Sequence, residues 1–237
     1  MCSCHISVCL FCTGLRLFVL ANKYSMMDDW SRTGSAEVHP GAGETIAGGV
    51  VKNPVTQTLM LMFVVSTATW VSAFAGFGRN LFVLTVPLSA HPWTLVTSVY
   101  AHLGPGHLFS NAVLLIIAGG LVSLSTSAIR FHVFFVLAGA AAGSTQVLAL
   151  HHRGLPIGVL GASGAVFALI GYILTSNLLS KFVLDRLDIP WWAATLGVVF
   201  VAALLTMQYS APGSALLAHF AGAVLGLAAG RLRLLHV

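Results

Sequence analysis

From Asn80 to Ile129 no residue carries a charge, and four further stretches are equally bare: Asn53–Gly78, Phe131–His152, Gly154–Ser180 and Ile189–Gly230. Runs of that kind have no charged side chains with which to face water. A soluble domain is roughly 25% charged, whereas this chain is 7% charged and 57% hydrophobic, with a mean hydropathy of +0.93. The chain therefore reads as an all-α, polytopic membrane protein. Its 237 residues allow about six spans of ~20 residues plus loops. The same composition excludes a disulfide scaffold, a coiled coil and a disordered chain.

Gly, Pro and polar clusters cut the apolar sequence into spans. Helices are expected near Val55–Phe77, His107–Ser127, Arg130–Leu150, Ala162–Leu179, Pro190–Tyr209 and Ser214–Leu234. The stretch Leu81–Leu103 is apolar enough to pass for a seventh. It holds Pro87 and Pro92, however, and proline removes backbone donors that lipid cannot replace. It also holds Trp93, Tyr100, His91 and His102, and Trp and Tyr favour the membrane interface. It reads as a long loop between the first and second helices, lying partly in the membrane surface.

Basic residues set the orientation. With six spans and both termini cytoplasmic, nine of the eleven Lys and Arg lie inside, and only Arg79 and Arg153 outside. The flipped topology reverses that ratio, against the positive-inside rule. The net charge of +5 thus reports orientation and not a nucleic-acid partner.

The transmembrane domain is placed at residues 51–237. Residues 1–50 read as a flexible cytoplasmic tail, Gly-, Ser- and Glu-containing after residue 28 and without helical period. Residues 1–25 stand apart as either a signal-like hydrophobic segment or an extension upstream of a true start at Met26 or Met27, the latter being favoured. All four cysteines fall there, at Cys2, Cys4, Cys9 and Cys12. Cys9 and Cys12 have a metal-like spacing, but no second pair exists to complete a zinc site.

A polar residue inside a span is costly and needs a reason. Four places stand out. Ser163 sits between Gly161-Ala162 and Gly164 at a helix start; it is a cap or packing residue, or a nucleophile whose N–H points out of the helix end. His219 precedes Gly222 and Gly226, a GxxxG pair that lets another helix approach closely. Gly164, Ala168 and Gly171 offer a matching small face. His107 and Asn111, four apart, share one helix face and serve as helix–helix glue or as hydrogen-bond donors. His102 reads as a loop tie. His107, Ser163 and His219 each fall near the outer end of an inward-running helix, and therefore at similar depth.

Ser and His together can make a nucleophile and its general base. No acid lies between Glu44 and Asp185, and none follows Asp188. Asp185 and Asp188 belong to an inner loop, so a Ser-His-Asp triad within this chain is excluded. A dyad is left, with Phe167, one turn after Ser163, packing against the imidazole. Two-aspartate proteases and carboxylate-relay pumps lack their acids here, and no HExxH occurs for a zinc protease.

Over about Val55–Arg233 the sequence resembles the rhomboid family of intramembrane serine proteases. The matching residues are Trp93, then His102-x4-His107-x3-Asn111, then Gly161-Ala162-Ser163-Gly164, then His219-x2-Gly222-x3-Gly226. The resemblance implies a six-helix bundle with a long surface loop, Ser163 as nucleophile and His219 as general base. It implies an oxyanion hole made by His107, Asn111 and the Ser163 N–H. His102 is then structural, as are Phe167 and the glycines 161, 164, 222 and 226. It further implies transmembrane protein substrates, cut near the outer boundary of their span within the lipid bilayer, with no metal or cofactor. The cell membrane is the expected location. Two departures are Thr94, where rhomboids often carry Arg, and Phe167, where Tyr is frequent. The loop Ser210–Gly213 is expected to cap the site, with the fifth helix as a lateral gate. The alternatives are an inactive rhomboid-like binder of membrane proteins and, from another class, a small channel or transporter, for which no internal repeat is found.

Overall fold

The computed structural model describes residues 46–155, 158–176, 190–209 and 214–236. The four cysteines, Asp185, Asp188 and the loop 210–213 lie outside the described residues. Among the described residues the regular structure is helical: α1 (Ile46–Lys52), α2 (Pro54–Phe74), α3 (Thr94–Tyr100), α4 (Pro105–Ser123), α5 (Ala128–His151), α6 (Ser163–Ser176), α7 (Trp191–Tyr209) and α8 (Leu216–Arg231).

The starts of these helices follow from local chemistry. Asn53 caps α2 through its side chain, which accepts the Val55 N–H at 2.8 Å, and Pro54 takes the first helical position. Ser127 caps α5 at the Arg130 N–H. Pro105 opens α4 after an extended Gly104, which puts His107 in the first turn. α1 departs from the flexible tail expected up to residue 50. Its last turn is tied forward by Gln57 Nε2, which donates to the Val51 carbonyl at 3.2 Å, a contact that periodicity within residues 28–50 could not display.

Three helices, α2, α4 and α5, have the length and hydropathy to cross a bilayer; α6 and α8 are apolar but shorter, at 14 and 16 residues. Six spans were expected, and length alone does not reproduce that number among the described residues. α6 is described only to Ser176 and is buried almost all round, with Gly164 through Leu169, Gly171 and Tyr172 all inside. A helix so enclosed by protein need not match the lipid thickness as its lipid-facing neighbours must. Large apolar side chains on the outer faces, among them Phe63, Ile117 and Leu137, are exposed, as a surface solvated by lipid requires. The chain is a multi-pass membrane protein.

Leu81–Leu103 is indeed not a span. It is a run of turns with a single seven-residue helix, α3, too short to cross. Trp93 Nε1 donates to the Leu81 carbonyl at 3.1 Å, and Thr97 Oγ1 to the same oxygen at 3.4 Å. Thr94 Oγ1 donates to the His91 carbonyl at 2.7 Å. The loop is thus fastened to itself without a guanidinium. An antiparallel bridge between Leu84 and Val159, with two bonds of 2.9 Å, ties it to the segment leading into α6.

Under the loop, Met62 of α2, Val99 and Tyr100 of α3, Leu115 of α4, and Phe131 and Phe135 of α5 form the main apolar cluster. α8 packs most extensively on α6, through small residues. A Cβ on Gly222 would collide with the Gly164 carbonyl oxygen, and one on Gly226 with that of Ala168. Gly230 continues the row against the Tyr172 backbone, and from the other side a Cβ on Gly171 would stand 2.5 Å from the Ala223 oxygen. The two backbones approach closely at each of these glycines.

Candidate active site

Ser163 is the first residue of α6, and His219 the fourth of α8. Because α6 and α8 touch backbone to backbone, side chains near their N-terminal ends can meet. Ser163 Oγ lies 2.8 Å from His219 Nε2. In the neutral imidazole with Nε2 unprotonated, the hydroxyl donates to that nitrogen. His219 is 6% exposed, and the Phe167 ring stacks on it with centroids 4.4 Å apart and planes 9° apart. Phe167 therefore fixes the plane of the imidazole, a job that a carboxylate does in a triad. Every acidic residue of the chain lies outside the described residues.

Gly161 precedes the serine with φ +129°, a conformation that L side chains rarely adopt. A Cβ there would stand 2.7 Å from His107 Cε1 and 3.0 Å from Nε2. Glycine at 161 thus makes room for the His107 ring beside the serine turn. Gly164 does the same toward α5, where a Cβ would come 2.7 Å from that of Ala142.

Asn111 is 3% exposed and donates from Nδ2 to the His107 carbonyl at 2.9 Å; the amide has a second N–H left to give. Asn111 Oδ1 and His107 Nδ1 are buried with no partner among the described residues. Both residues line a cavity of about 740 Å³, which also takes in Ser163, His219, Phe167 and Gln146. The serine N–H opens a helix and so has no intrahelical carbonyl to bind. Hydroxyl, imidazole, amide and helix N-terminus therefore converge on one cleft. Among the described residues, no three His, Cys, Asp or Glu side chains cluster as metal ligands.

The family model described as Rhomboid domain matches residues 89–236. The chain belongs to the rhomboid family. No match is found among curated proteins. The family acts on transmembrane substrates within the lipid bilayer, and the match covers Ser163, His219, His107 and Asn111 of the cleft. The match begins inside the surface loop, so α2 lies outside it.

His102 is fully buried and ties more than the loop. Its Nε2 accepts the Ala162 N–H at 3.3 Å, and its ring packs edge-on against that of His107 with centroids 5.0 Å apart. Burial, with His107 beside it, pushes the His102 imidazole down to about 3. It is therefore neutral at ordinary pH, as an acceptor must be.

Gln146 was not singled out from the sequence of this rhomboid. The α8 N-cap is Ala215, which has no side chain able to cap. Gln146 Oε1 of α5 accepts the Ala218 N–H instead, at 3.1 Å. One of the orphan donors at that helix end is thus satisfied from a neighbouring helix, next to His219. The signal was present, since Gln146 is an uncharged polar residue inside a span, but its partner is 72 residues away.

Proposed function

We propose that this rhomboid is an active intramembrane serine endopeptidase that works with a Ser163–His219 dyad. The observation that carries the reading is the 2.8 Å approach of Ser163 Oγ to His219 Nε2. Ser163 Oγ attacks the carbonyl carbon of the scissile peptide as its proton passes to Nε2. The tetrahedral oxyanion takes hydrogen bonds from the Ser163 N–H and from the side chains of His107 and Asn111. Collapse breaks the C–N bond, and His219 returns the proton to the leaving amine. Water then attacks the acyl-serine, with His219 again taking the proton, and frees the new carboxyl group.

The substrate is a membrane protein whose span unwinds at the cleft. A peptide carbonyl held in an intact helix is hydrogen-bonded and out of reach of the serine. The positive-inside bias supports cytoplasmic termini in the cell membrane, with the cleft toward the outer face.

Labelling with a fluorophosphonate probe, wild type against Ser163→Ala, tests the nucleophile. Cleavage of a model transmembrane substrate by wild type, Ser163→Ala and His219→Ala tests the dyad. Both substitutions are expected to abolish cleavage and leave the fold intact. Normal cleavage by either variant removes the dyad; absence of labelling and cleavage in the wild type favours an inactive binder.

A further inference from the structure

α2 carries Ser66 and Trp70, four residues apart and therefore on one face. Both side chains end on His102. Ser66 Oγ lies 3.0 Å from His102 Nδ1, and Trp70 Nε1 donates to the His102 carbonyl at 2.8 Å. On the opposite edge of the ring, His102 Nε2 receives the N–H of Ala162, the residue before Ser163. Ser66, His102 and Ala162 are each 0% exposed.

Chemistry sets the direction of these bonds. A backbone N–H only donates, so His102 Nε2 is the unprotonated nitrogen. Nδ1 then carries the hydrogen and gives it to Ser66 Oγ, with the Tyr100 carbonyl also within 3.1 Å. The Ser66 hydroxyl hydrogen goes to that same carbonyl, at 3.1 Å. A protonated His102 would set two N–H groups against each other at Ala162.

We propose that Ser66 and Trp70 are positioning residues for the nucleophile. They hold His102 in place and in one tautomer, and His102 in turn holds the Ala162 peptide from which Ser163 starts. The inference rests on the proteolytic reading above. A buried serine on a span is ordinarily glue between helices. Here the helix it grips is the short α3 and its exit, and the bonds continue to the nucleophile's own turn. Misplacement by ~1 Å costs about 10²-fold in rate, so a small release at His102 is read out in turnover.

The test uses the full chain in lipid vesicles with a transmembrane substrate. Ser66→Ala is expected to lower kcat about tenfold, by loss of one buried hydrogen bond, with KM within about twofold. The rate of fluorophosphonate labelling at Ser163 should fall by the same factor. Ser66→Cys, which keeps the volume and a weak donor, should recover part of the loss. In a His102→Ala background Ser66→Ala should have no further effect, because the two act in series. Trp70→Phe keeps the ring and removes the donor; it carries the same comparison should Ser66→Ala fail to fold. Nitrogen-15 spectra of the imidazoles in Ser163→Ala protein should show His102 as the Nδ1–H tautomer, disturbed by Ser66→Ala. Unchanged kcat in both Ser66→Ala and Trp70→Phe, or additive losses with His102→Ala, overturns the inference. A wild type that neither labels nor cleaves overturns the proteolytic reading instead, and the nitrogen spectra still decide whether α2 governs His102.

Discussion

Ser163 meets His219 across an interface built from missing side chains, whereas His107 and Asn111 stand opposite a loop pinned by hydrogen bonds. In the first region Gly222, Gly226 and Gly230 press α8 onto the backbone of α6. Position is set there by hard-sphere contact between two helices, which has no soft direction. In the second, Ser66, Trp70 and His102 hold the loop and the serine turn through oriented bonds of 2.8–3.3 Å. A membrane interior gives both devices a purpose. Lipid tails supply no hydrophobic force to press helices together, so close packing must do it. Irregular backbone at membrane depth survives only when its polar groups are satisfied by protein. The packing half should therefore fail all at once, and the bonded half by degrees.

The harshest way to break that comparison is Gly222→Val or Gly226→Val. Either Cβ runs into a backbone carbonyl that cannot move aside, so α6 and α8 must part. Cleavage should vanish, and thermal melts should show a loss of about 3 kcal/mol or more. Retained cleavage would mean that the dyad does not depend on this packing.

Gly161→Ala probes the seam between the two halves. The methyl group meets the His107 ring, and the backbone is held at φ +129°. Displacing His107, a proposed oxyanion donor, predicts a kcat lowered about 10²-fold, and Asn111→Ala should show a loss of similar origin in the same cleavage assay. Melting should change far less than in the Gly222 variants; an equal drop in stability would erase the distinction drawn here.

Gln146→Leu keeps the volume and removes the acceptor at the start of α8. An uncapped helix end costs about 1 kcal/mol, so kcat should fall by at most about fivefold, with a modest shift in melting temperature. The smallest expected effect belongs to Phe167→Leu. Loss of the ring stacked on His219 is worth about 0.5–1.5 kcal/mol, and substrate turnover should drop only severalfold.

Much of this could be read before any fold was known. Charge-free runs marked the membrane, Pro87 and Pro92 marked the loop, and α2, α4 and α5 begin and end within a few residues of expectation. Ser163, His219, His107 and Asn111 stood out because an uncharged polar group in a span is anomalous by itself. Ser66, Trp70 and Gln146 did not, although they too are polar or amphipathic residues in spans. Ser66 lies 36 residues from His102, Trp70 lies 32 away, and Gln146 lies 72 from Ala218. No local spacing encodes such pairs. Gly230 escaped likewise, because a third glycine at the same interval has meaning only against the backbone it touches.

Composition and spacing by themselves determined that the chain lives in a bilayer, which residues could do chemistry there, and that the segments holding them carry no acid. Those properties follow from the solvation cost of each residue type, which is local. Only the tertiary structure decided that Ser163 and His219 touch, that Phe167 lies flat on the imidazole, and that α2 is bonded through His102 to the Ala162 peptide. Contacts of that kind depend on how close two backbones come, and closeness is a property of the packed pair and not of either segment.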